Sequence, residues 1–459
     1  MAKIISTNPG KNYEFIGEVE ISSDEEIAEK VKNAQEAKSN WKGLGVKKRI
    51  EAIRPIYEEF IKRKEEIIEL IIKEIGKTRK DANAELNRYS NEFRWFLDNG
   101  EMALKEEITY EDDKTIHKAY YEPFGVSAVI TPWNYPFGMF VWGNIPNLIA
   151  GNTVVFKHSE ECPLTGKLIE DIMLSKNLPR GVFNEIYGAG SVGSKLLNQD
   201  INLIWFTGSS KTGKEIYKIA ANKFIKAVLE MGGSNPGIIF KDADVDKCID
   251  KLYAKRFTAC GQTCDALKRL IVEESVFDEV IEKLKNKIES KIVGDPDKEE
   301  TDIGSLAAKR QLDLLEAQVR DAVNKGAKVI TGGKKPNNLK GAYYMPTILA
   351  NIAKDMRVWN EEVFGPVLAV VPFKDEEEAI SLANDTEYGL GALVFTNDKK
   401  RAERVASKIQ AGTVEINSAI HWMPCNPFGG YKESGMGREH GAVGFHELCQ
   451  IKIVSNEKA

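Results

Sequence analysis

Long apolar runs are missing from this chain: no stretch of about 18 apolar residues occurs in its 459 residues, so no membrane-spanning helix is expected. The opening Met1-Ala-Lys-Ile-Ile-Ser-Thr-Asn-Pro-Gly10 also lacks the apolar segment of a secretion signal. Cysteine is scarce. The six present, at 162, 248, 260, 264, 425 and 449, show no paired spacing, which excludes a disulfide framework and suits free thiols in a reducing cytoplasm. A surplus of one charge is absent too, because 64 Lys and Arg nearly balance 69 Asp and Glu for a net −5. Lysines mostly alternate with glutamates, as on solvated helix faces, so neither nucleic acid nor a membrane is an expected partner. There is no internal repeat and no low-complexity linker.

What remains is the balance of a globular protein, 42% hydrophobic and 29% charged, too long for one ordinary core. Two or three domains packed around a cleft are expected. The first 105 residues read as helical, with Ser23-Asp-Glu-Glu26 a capping box ahead of Ile27, Val31 and Ala34. Amphipathic segments follow over about 46–75 and 80–105. From 108 to 130 β-branched and aromatic residues predict strands or a ribbon. Strands at Thr153–Phe156, Val182–Tyr187, Leu203–Phe206 and Ala227–Glu230 then alternate with helices. Such βαβ units imply a parallel sheet covered on both faces, with ligands at the carboxyl ends of its strands. A second α/β series runs from Pro236 to about Arg438, with strands over 363–372 and 392–396. The tail, 446–454, is predicted to be a strand that pairs outside its own domain.

The most informative cysteine lies in Phe257-Thr-Ala-Cys-Gly-Gln-Thr-Cys264-Asp-Ala-Leu-Lys-Arg269. Gly261-Gln262-Thr263 is small and polar, which suits an exposed turn, and a thiolate attacks carbonyl carbon strongly. A buried structural cysteine is the bland alternative. Cys260 makes a C-x3-C spacing without a second pair or a nearby histidine, so no metal is expected. Glu230 closes an apolar strand before Met231-Gly232-Gly233, where partial desolvation raises a carboxyl pKa and makes a better base. Otherwise it is a loop-ordering charge. Asn134 sits in the rigid turn Thr131-Pro-Trp-Asn-Tyr-Pro-Phe137, and its amide can donate to an oxyanion without salt-bridging a nucleophile.

Two segments compete for a pyrophosphate. Gly188-Ala-Gly190-Ser-Val-Gly193 fits G-x-G-x-x-G, yet the helix behind it is short and no acid follows the next strand to hold a ribose. Phe206-Thr-Gly208-Ser209-Ser210-Lys-Thr-Gly213 opens a long helix and is the better cradle, although it lacks the G-K-[ST] of a Walker loop. Lys157 and Glu160 are either surface charges or ribose ligands. Glu160 would repel a 2′-phosphate, which favours NAD over NADP. Glu362, in an acidic turn before a buried strand, can hold the other ribose.

In order along the chain, Pro132-Trp133-Asn134, Phe206-Thr-Gly208-Ser209, Glu230-Met-Gly-Gly233, Gly261-Gln-Thr-Cys264, Glu362-Val-Phe-Gly-Pro366 and Pro427-Phe428-Gly-Gly-Tyr-Lys-Glu-Ser-Gly435 carry a resemblance. Over almost its whole length the chain resembles the NAD(P)-dependent aldehyde dehydrogenase superfamily of the hydrolytic, non-acylating kind. Its ending, Gly444 to Val454, is similar to short bacterial succinate-semialdehyde dehydrogenases. The resemblance implies Cys264 as nucleophile, Glu230 as base for thioester hydrolysis, and Asn134 with the Cys264 backbone N–H as oxyanion hole. It implies Ser209, between Gly208 and Gly213, at the pyrophosphate. Lys157 and Glu160 would meet the adenosine ribose and Glu362 the nicotinamide ribose, with Trp133 and Phe364 flanking the cofactor. Tyr135, Met139, Trp142, Trp422 and Phe428 would line a substrate tunnel. The implied fold is α/β: a Rossmann-like cofactor domain (1–107 and 122–233), an α/β catalytic domain (234–440) and a small β-ribbon oligomerisation element (108–121 with 441–459). That ribbon would build a homodimer or homotetramer.

The expected reaction is oxidation of succinate semialdehyde, or another short- to medium-chain aldehyde, to the acid through a thiohemiacetal and thioester. NAD is the expected cofactor, with NADP as the alternative. Rival readings are a CoA-acylating dehydrogenase, against which Glu230 speaks, and a catalytically silent binding or structural protein on the same fold. Asp265 departs from the family pattern, which usually has a small or apolar residue after the nucleophile. An acid there raises the thiol pKa and, facing the tunnel, disfavours anionic substrates; turned toward Lys268 or Arg269 it would not.

Overall fold

A hairpin of β1 (Lys3–Asn8) and β2 (Glu14–Glu20) opens the computed structural model, which describes residues 2–458. Helix α1 (Asp24–Gly43) starts where Ser23 Oγ accepts the Glu26 N–H, and it buries Ile27, Val31 and Ala34. The amphipathic segment expected over 46–75 is two helices, α2 (Gly45–Lys62) and α3 (Lys64–Ile75). They part at Arg63, whose φ of −99° and ψ of 17° leave the helical well. Periodicity carries no mark of this break, because Phe60, Ile67 and Ile71 are buried on both sides of it. Helix α4 (Arg79–Ala103) follows, capped by Thr78.

After β3 (Glu107–Glu111) and β4 (Thr115–Pro123) comes the first parallel sheet. Its strands are β5 (Val126–Ile130), β6 (Thr153–Lys157), β7 (Phe183–Ile186), β8 (Leu203–Thr207) and β9 (Lys226–Glu230). Between them run α5 (Pro136–Ala150), α6 (Pro163–Leu174), α7 (Gly190–Leu197) and α8 (Ser210–Lys223). Laterally the order is β9-β8-β5-β6-β7, so strand order reverses between β5 and β8. Loops leaving two such strands part and open a crevice. Alternation sorts the faces. Val129, Val154, Phe156 and Trp205 pack with α4 and α5, whereas Ala128, Ile130, Val155 and Ile204 pack with α1 and α7.

The second unit begins with β10 (Asn235–Ile239), α9 (Val245–Phe257), β11 (Leu267–Glu273), α10 (Phe277–Glu289) and α11 (Lys309–Asn324). It continues through β12 (Lys328–Thr331), β13 (Thr347–Ala350), β14 (Val367–Phe373), β15 (Tyr388–Gly389), β16 (Gly391–Phe395) and β17 (Thr413–Ile416). Seven of these form one sheet, β12-β13-β14-β11-β10-β16-β17, parallel except for β12. The strand expected over 363–372 starts only at Val367. Before it, the carbonyls of Val363 and Gly365 accept from the buried Arg256 guanidinium instead of from a neighbouring strand.

Two returning segments stitch the units together. Beyond β18 (Tyr431–Lys432), which pairs with β15, the short β19 (Gly435–Met436) crosses to the first sheet and pairs Gly435 with Glu230. The tail strand begins later than expected. His446 belongs to a helix over Gly441–Glu447 and stacks on Tyr121 at 3.8 Å, so β20 spans Cys449–Glu457. It pairs along the length of β4, which also pairs with β3. Among the described residues no helix is long and apolar enough to cross a membrane, and no group of three or more His, Cys, Asp or Glu is placed to hold a metal.

Candidate active site

Loops leaving the carboxyl ends of β5, β8 and β9 meet the loop that enters β11 from its amino end, and a cavity of about 400 Å³ lies between them. Cys264 is on its wall and partly accessible, whereas Cys260 is buried. The loop that carries Cys264 is locally strained. Ala259, Cys260 and Gly261 take left-handed φ values of 52°, 56° and 71°, and two of the three are not glycine. Contacts hold that run in place: Asp81 Oδ2 accepts the Ala259 N–H at 3.1 Å, and Gln262 Oε1 accepts the Ala307 N–H at 2.9 Å. A Cβ on Gly261 would stand 2.4 Å from the Gly365 carbonyl. On the far side, Lys268 Nζ donates to Cys264 O at 2.6 Å and pairs with Glu362 Oε1 at 3.0 Å. Burial pushes the Cys264 thiol well above its ordinary 9.0, and Asp265 adds to the rise while Lys268 opposes it.

Asn134 is tied directly to this loop, donating from Nδ2 to Gln262 O at 3.1 Å. A primary amide has two N–H bonds, so one is left for the cavity, which Asn134 lines. Tyr135 makes a second tie, its hydroxyl 3.0 Å from Thr263 Oγ1. The turn is anchored from behind by Glu85, whose Oε1 accepts the Phe137 and Gly138 N–H groups at 3.0 and 3.2 Å and caps α5.

Glu230 ends β9, but its carboxylate is not on the wall; Met231 and Gly232 are. It lies behind them without a hydrogen-bond partner. Burial first, and then the charge of Glu439, hold its pKa well above 4.5, with Arg438 acting the other way. Glu439 is raised as well, by burial and then by Glu92. Burial and neighbouring negative charge thus push both carboxyls toward the neutral form. The Glu230 charge still reaches Cys264, where it raises the thiol pKa. Sequence reasoning missed Glu439, which has no motif of its own. Only the bridge between Phe428 and Glu439 brings it here.

On the side of the first sheet, the wall includes Trp133, Gly208, Ser209, Glu362 and Phe364. Trp133 and Phe364 meet edge to face with centroids 5.5 Å apart. Ser209 caps α8, its Oγ accepting the Thr212 N–H at 3.3 Å. Gly213 is one turn inside that helix and off the wall; a Cβ there would meet Met231 Sδ at 2.1 Å, so it serves helix-to-sheet packing. Lys157, which ends β6, and Glu160, in the loop after it, lie off the wall too. Lys157 Nζ donates to His158 O at 3.0 Å and sits 3.6 Å from Glu160. The Gly188–Gly193 segment follows β7, the strand at the sheet's edge.

Across from these, Tyr135, Met139, Trp142 and Trp422 are on the wall. Phe428 is not. It stacks behind Trp422 at 4.8 Å, a second aromatic layer. Arg88 and Tyr89 of α4 line this half and were missed, since α4 reads locally as an amphipathic support. Asp265 faces the cavity, yet it turns toward neither Lys268 nor Arg269. Its Oδ2 accepts from Trp422 Nε1 at 3.1 Å, with Lys255 Nζ at 3.7 Å. Arg269 is spent on the carbonyls of Ser234, Leu382 and Ala383.

A family model described as "Aldehyde dehydrogenase family" matches residues 2–454. Over 450 residues the chain is 38% identical to the betaine aldehyde dehydrogenase of Bacillus subtilis, covering 96% of this chain and 92% of that protein. It is 34% identical to the succinate-semialdehyde dehydrogenase [NADP(+)] of Escherichia coli, covering 98% and 93% respectively. The crystal structure of the Staphylococcus aureus betaine aldehyde dehydrogenase in complex with NAD+ superposes with a TM-score of 0.94 at 34% identity, covering 99% and 91%.

Proposed function

The chain belongs to the aldehyde dehydrogenase family, and we propose that it oxidises a short- to medium-chain aldehyde, succinate semialdehyde among them, through a thioester on Cys264. One observation carries this reading: the Cys264 thiol and the Asn134 amide line the same cavity, with Glu230 close behind its wall.

We read the half bounded by Trp133, Gly208, Ser209, Glu362 and Phe364 as the NAD(P) side. A helix N-terminus suits a pyrophosphate, a carboxylate suits ribose hydroxyls, and two aromatic rings suit a flat heterocycle. Lys157 and Glu160 are assigned to the adenosine ribose, and Glu160 disfavours a 2′-phosphate, so NAD is the first choice and NADP the second. When bound, the nicotinamide supplies the hydride acceptor.

The chain's own residues do the rest. The Cys264 thiol gives up its proton to solvent water in the cavity, and the thiolate sulfur bonds to the carbonyl carbon while Asn134 and the Cys264 backbone N–H donate to the oxygen, which takes up negative charge. Oxidation leaves the acyl group on sulfur. Glu230, turned from Glu439 toward the cavity, takes a proton from the water that attacks the thioester; the C–S bond breaks and the acid leaves. The antiparallel ribbon presents Ile108, Ile451 and Ile453 to solvent at 57%, 64% and 54% exposure, which favours a homodimer or homotetramer built on it.

Steady-state assays with each cofactor, with and without CoA, test the reading. Cys264→Ala is expected to abolish NADH formation; turnover at the wild-type rate overturns it. Acid formed only as its CoA thioester would replace it with the acylating reaction.

A further inference from the structure

Of the charged groups around the half of the cavity lined by Trp142 and Trp422, one has no partner. Arg88 lies on the wall, its Cζ 4.1 Å from the Trp422 ring centroid and 5.5 Å from that of Tyr89. Its Nη2 is buried and makes no hydrogen bond among the described residues. A buried guanidinium N–H left unmade is expensive and marks a missing acceptor.

The surrounding charged side chains already have hydrogen-bond or ion-pair partners. Asp265 has Trp422 Nε1 and Lys255, and Glu415, which shares Lys255, has Lys251 at 2.8 Å as well. Glu92 accepts from Trp142 Nε1 at 2.9 Å and has His440 Nδ1 at 2.8 Å. Lys77 pairs with Glu85 at 2.5 Å, Lys268 with Glu362 at 3.0 Å and Arg310 with Glu161 at 2.7 Å. Asp265 and Glu92 act on the Arg88 guanidinium only through their charge and accept no hydrogen bond from it, so its buried Nη2 is left as a donor without an acceptor on this half of the wall.

We propose that Arg88 receives a carboxylate carried by the substrate at the end remote from the aldehyde, which makes ω-carboxy aldehydes the substrate class. This rests on the aldehyde-oxidising reading above and narrows it. Guanidinium and carboxylate match in a planar, paired geometry. The route between the two ends is short: Asp265 follows Cys264, bonds Trp422, and Trp422 stacks under Arg88. One indole thus separates the sulfur's loop from the guanidinium, a span for a chain of few carbons. Asp265 faces the cavity and by itself disfavours an anion there; held by Trp422 and Lys255 at the thiol end, it repels the carboxylate from that end only, which leaves the aldehyde toward Cys264.

The test compares kcat/KM for succinate semialdehyde, pentanal and betaine aldehyde in the wild type, Arg88→Leu and Arg88→Lys. The anionic aldehyde is expected to be preferred by the wild type. In Arg88→Leu its advantage over pentanal falls about 10–100-fold, mainly through KM, and Arg88→Lys restores part of it. Equal losses for both aldehydes in Arg88→Leu would mean a structural role and overturn the proposal. So would a wild-type preference for pentanal or betaine aldehyde, a comparison that needs no variant to fold. NADH from pentanal but none from the anion sinks the Arg88 assignment alone; no NADH from any of the three sinks the dehydrogenase reading and this one with it.

Discussion

Trp422 Nε1 donates to Asp265 Oδ2 at 3.1 Å, so the residue that follows Cys264 is fastened to the aromatic wall. That bond keeps an anion beside the thiol. After burial, Asp265 is the next cause of the raised Cys264 pKa. Asp265→Asn keeps an oxygen for the indole and removes the charge. Alkylation of Cys264 by iodoacetamide is therefore expected to reach its half-maximal rate at lower pH in the variant. An unmoved midpoint would mean that burial alone holds the proton on sulfur.

Glu230→Gln separates the two halves of the reaction. The sulfur still adds and the acyl group still forms, but no carboxylate remains to deprotonate the hydrolytic water. Stopped-flow traces should show a burst of NADH near one equivalent of sites, followed by a steady rate about 10²–10⁴-fold below the wild type. A variant slowed equally in both phases would place the residue in some other role.

Glu439→Gln changes the pH dependence of that second half. Burial and then Glu439 raise the Glu230 pKa, and the base form exists only above it. Removing the neighbouring charge lowers the Glu230 pKa, so the acidic limb of the steady-state rate moves to lower pH. Stability has the opposite ordering. Both carboxyls are raised above 4.5 in the folded state, so the protein loses stability as pH rises from that value through the folded pKa values. Thermal melts should show Glu439→Gln gaining on the wild type as pH increases, with little difference below pH 4.5.

Gly261→Ala strikes the loop itself. At φ 71° with a carbonyl 2.4 Å from the new Cβ, the backbone must shift. A loss of about 1–3 kcal/mol in urea unfolding is expected, together with a lower kcat. Wild-type kcat in a folded Gly261→Ala protein would show that the loop tolerates displacement.

Much of the fold is legible locally. Short apolar runs such as Thr153–Phe156 and Leu203–Phe206 are strands whose two faces are both covered, and Ser23 starts a helix because its side chain meets an N–H three residues on. The break at Arg63 and the helical claim on His446 were not legible. Both depend on partners distant in the chain or on backbone angles that side-chain periodicity does not report.

Residue type and order along the chain were enough to single out Cys264, Asn134 and Glu230 as candidates, because a thiol, an amide and a carboxyl in turns of particular composition suit a nucleophile, a donor and a base. Only the folded arrangement decided that the sulfur comes from the amino edge of one sheet to meet the carboxyl edge of another. It also decided that Glu230 feels the charge of Glu439, that Phe428 stands behind Trp422, and that the buried Arg88 Nη2 has no hydrogen-bond partner. A side chain's chemistry is intrinsic to its type, whereas its charge balance depends on which neighbours desolvate and pair it. Those neighbours come from α4, α9 and the loops near the carboxyl terminus, which nothing short of tertiary packing brings together.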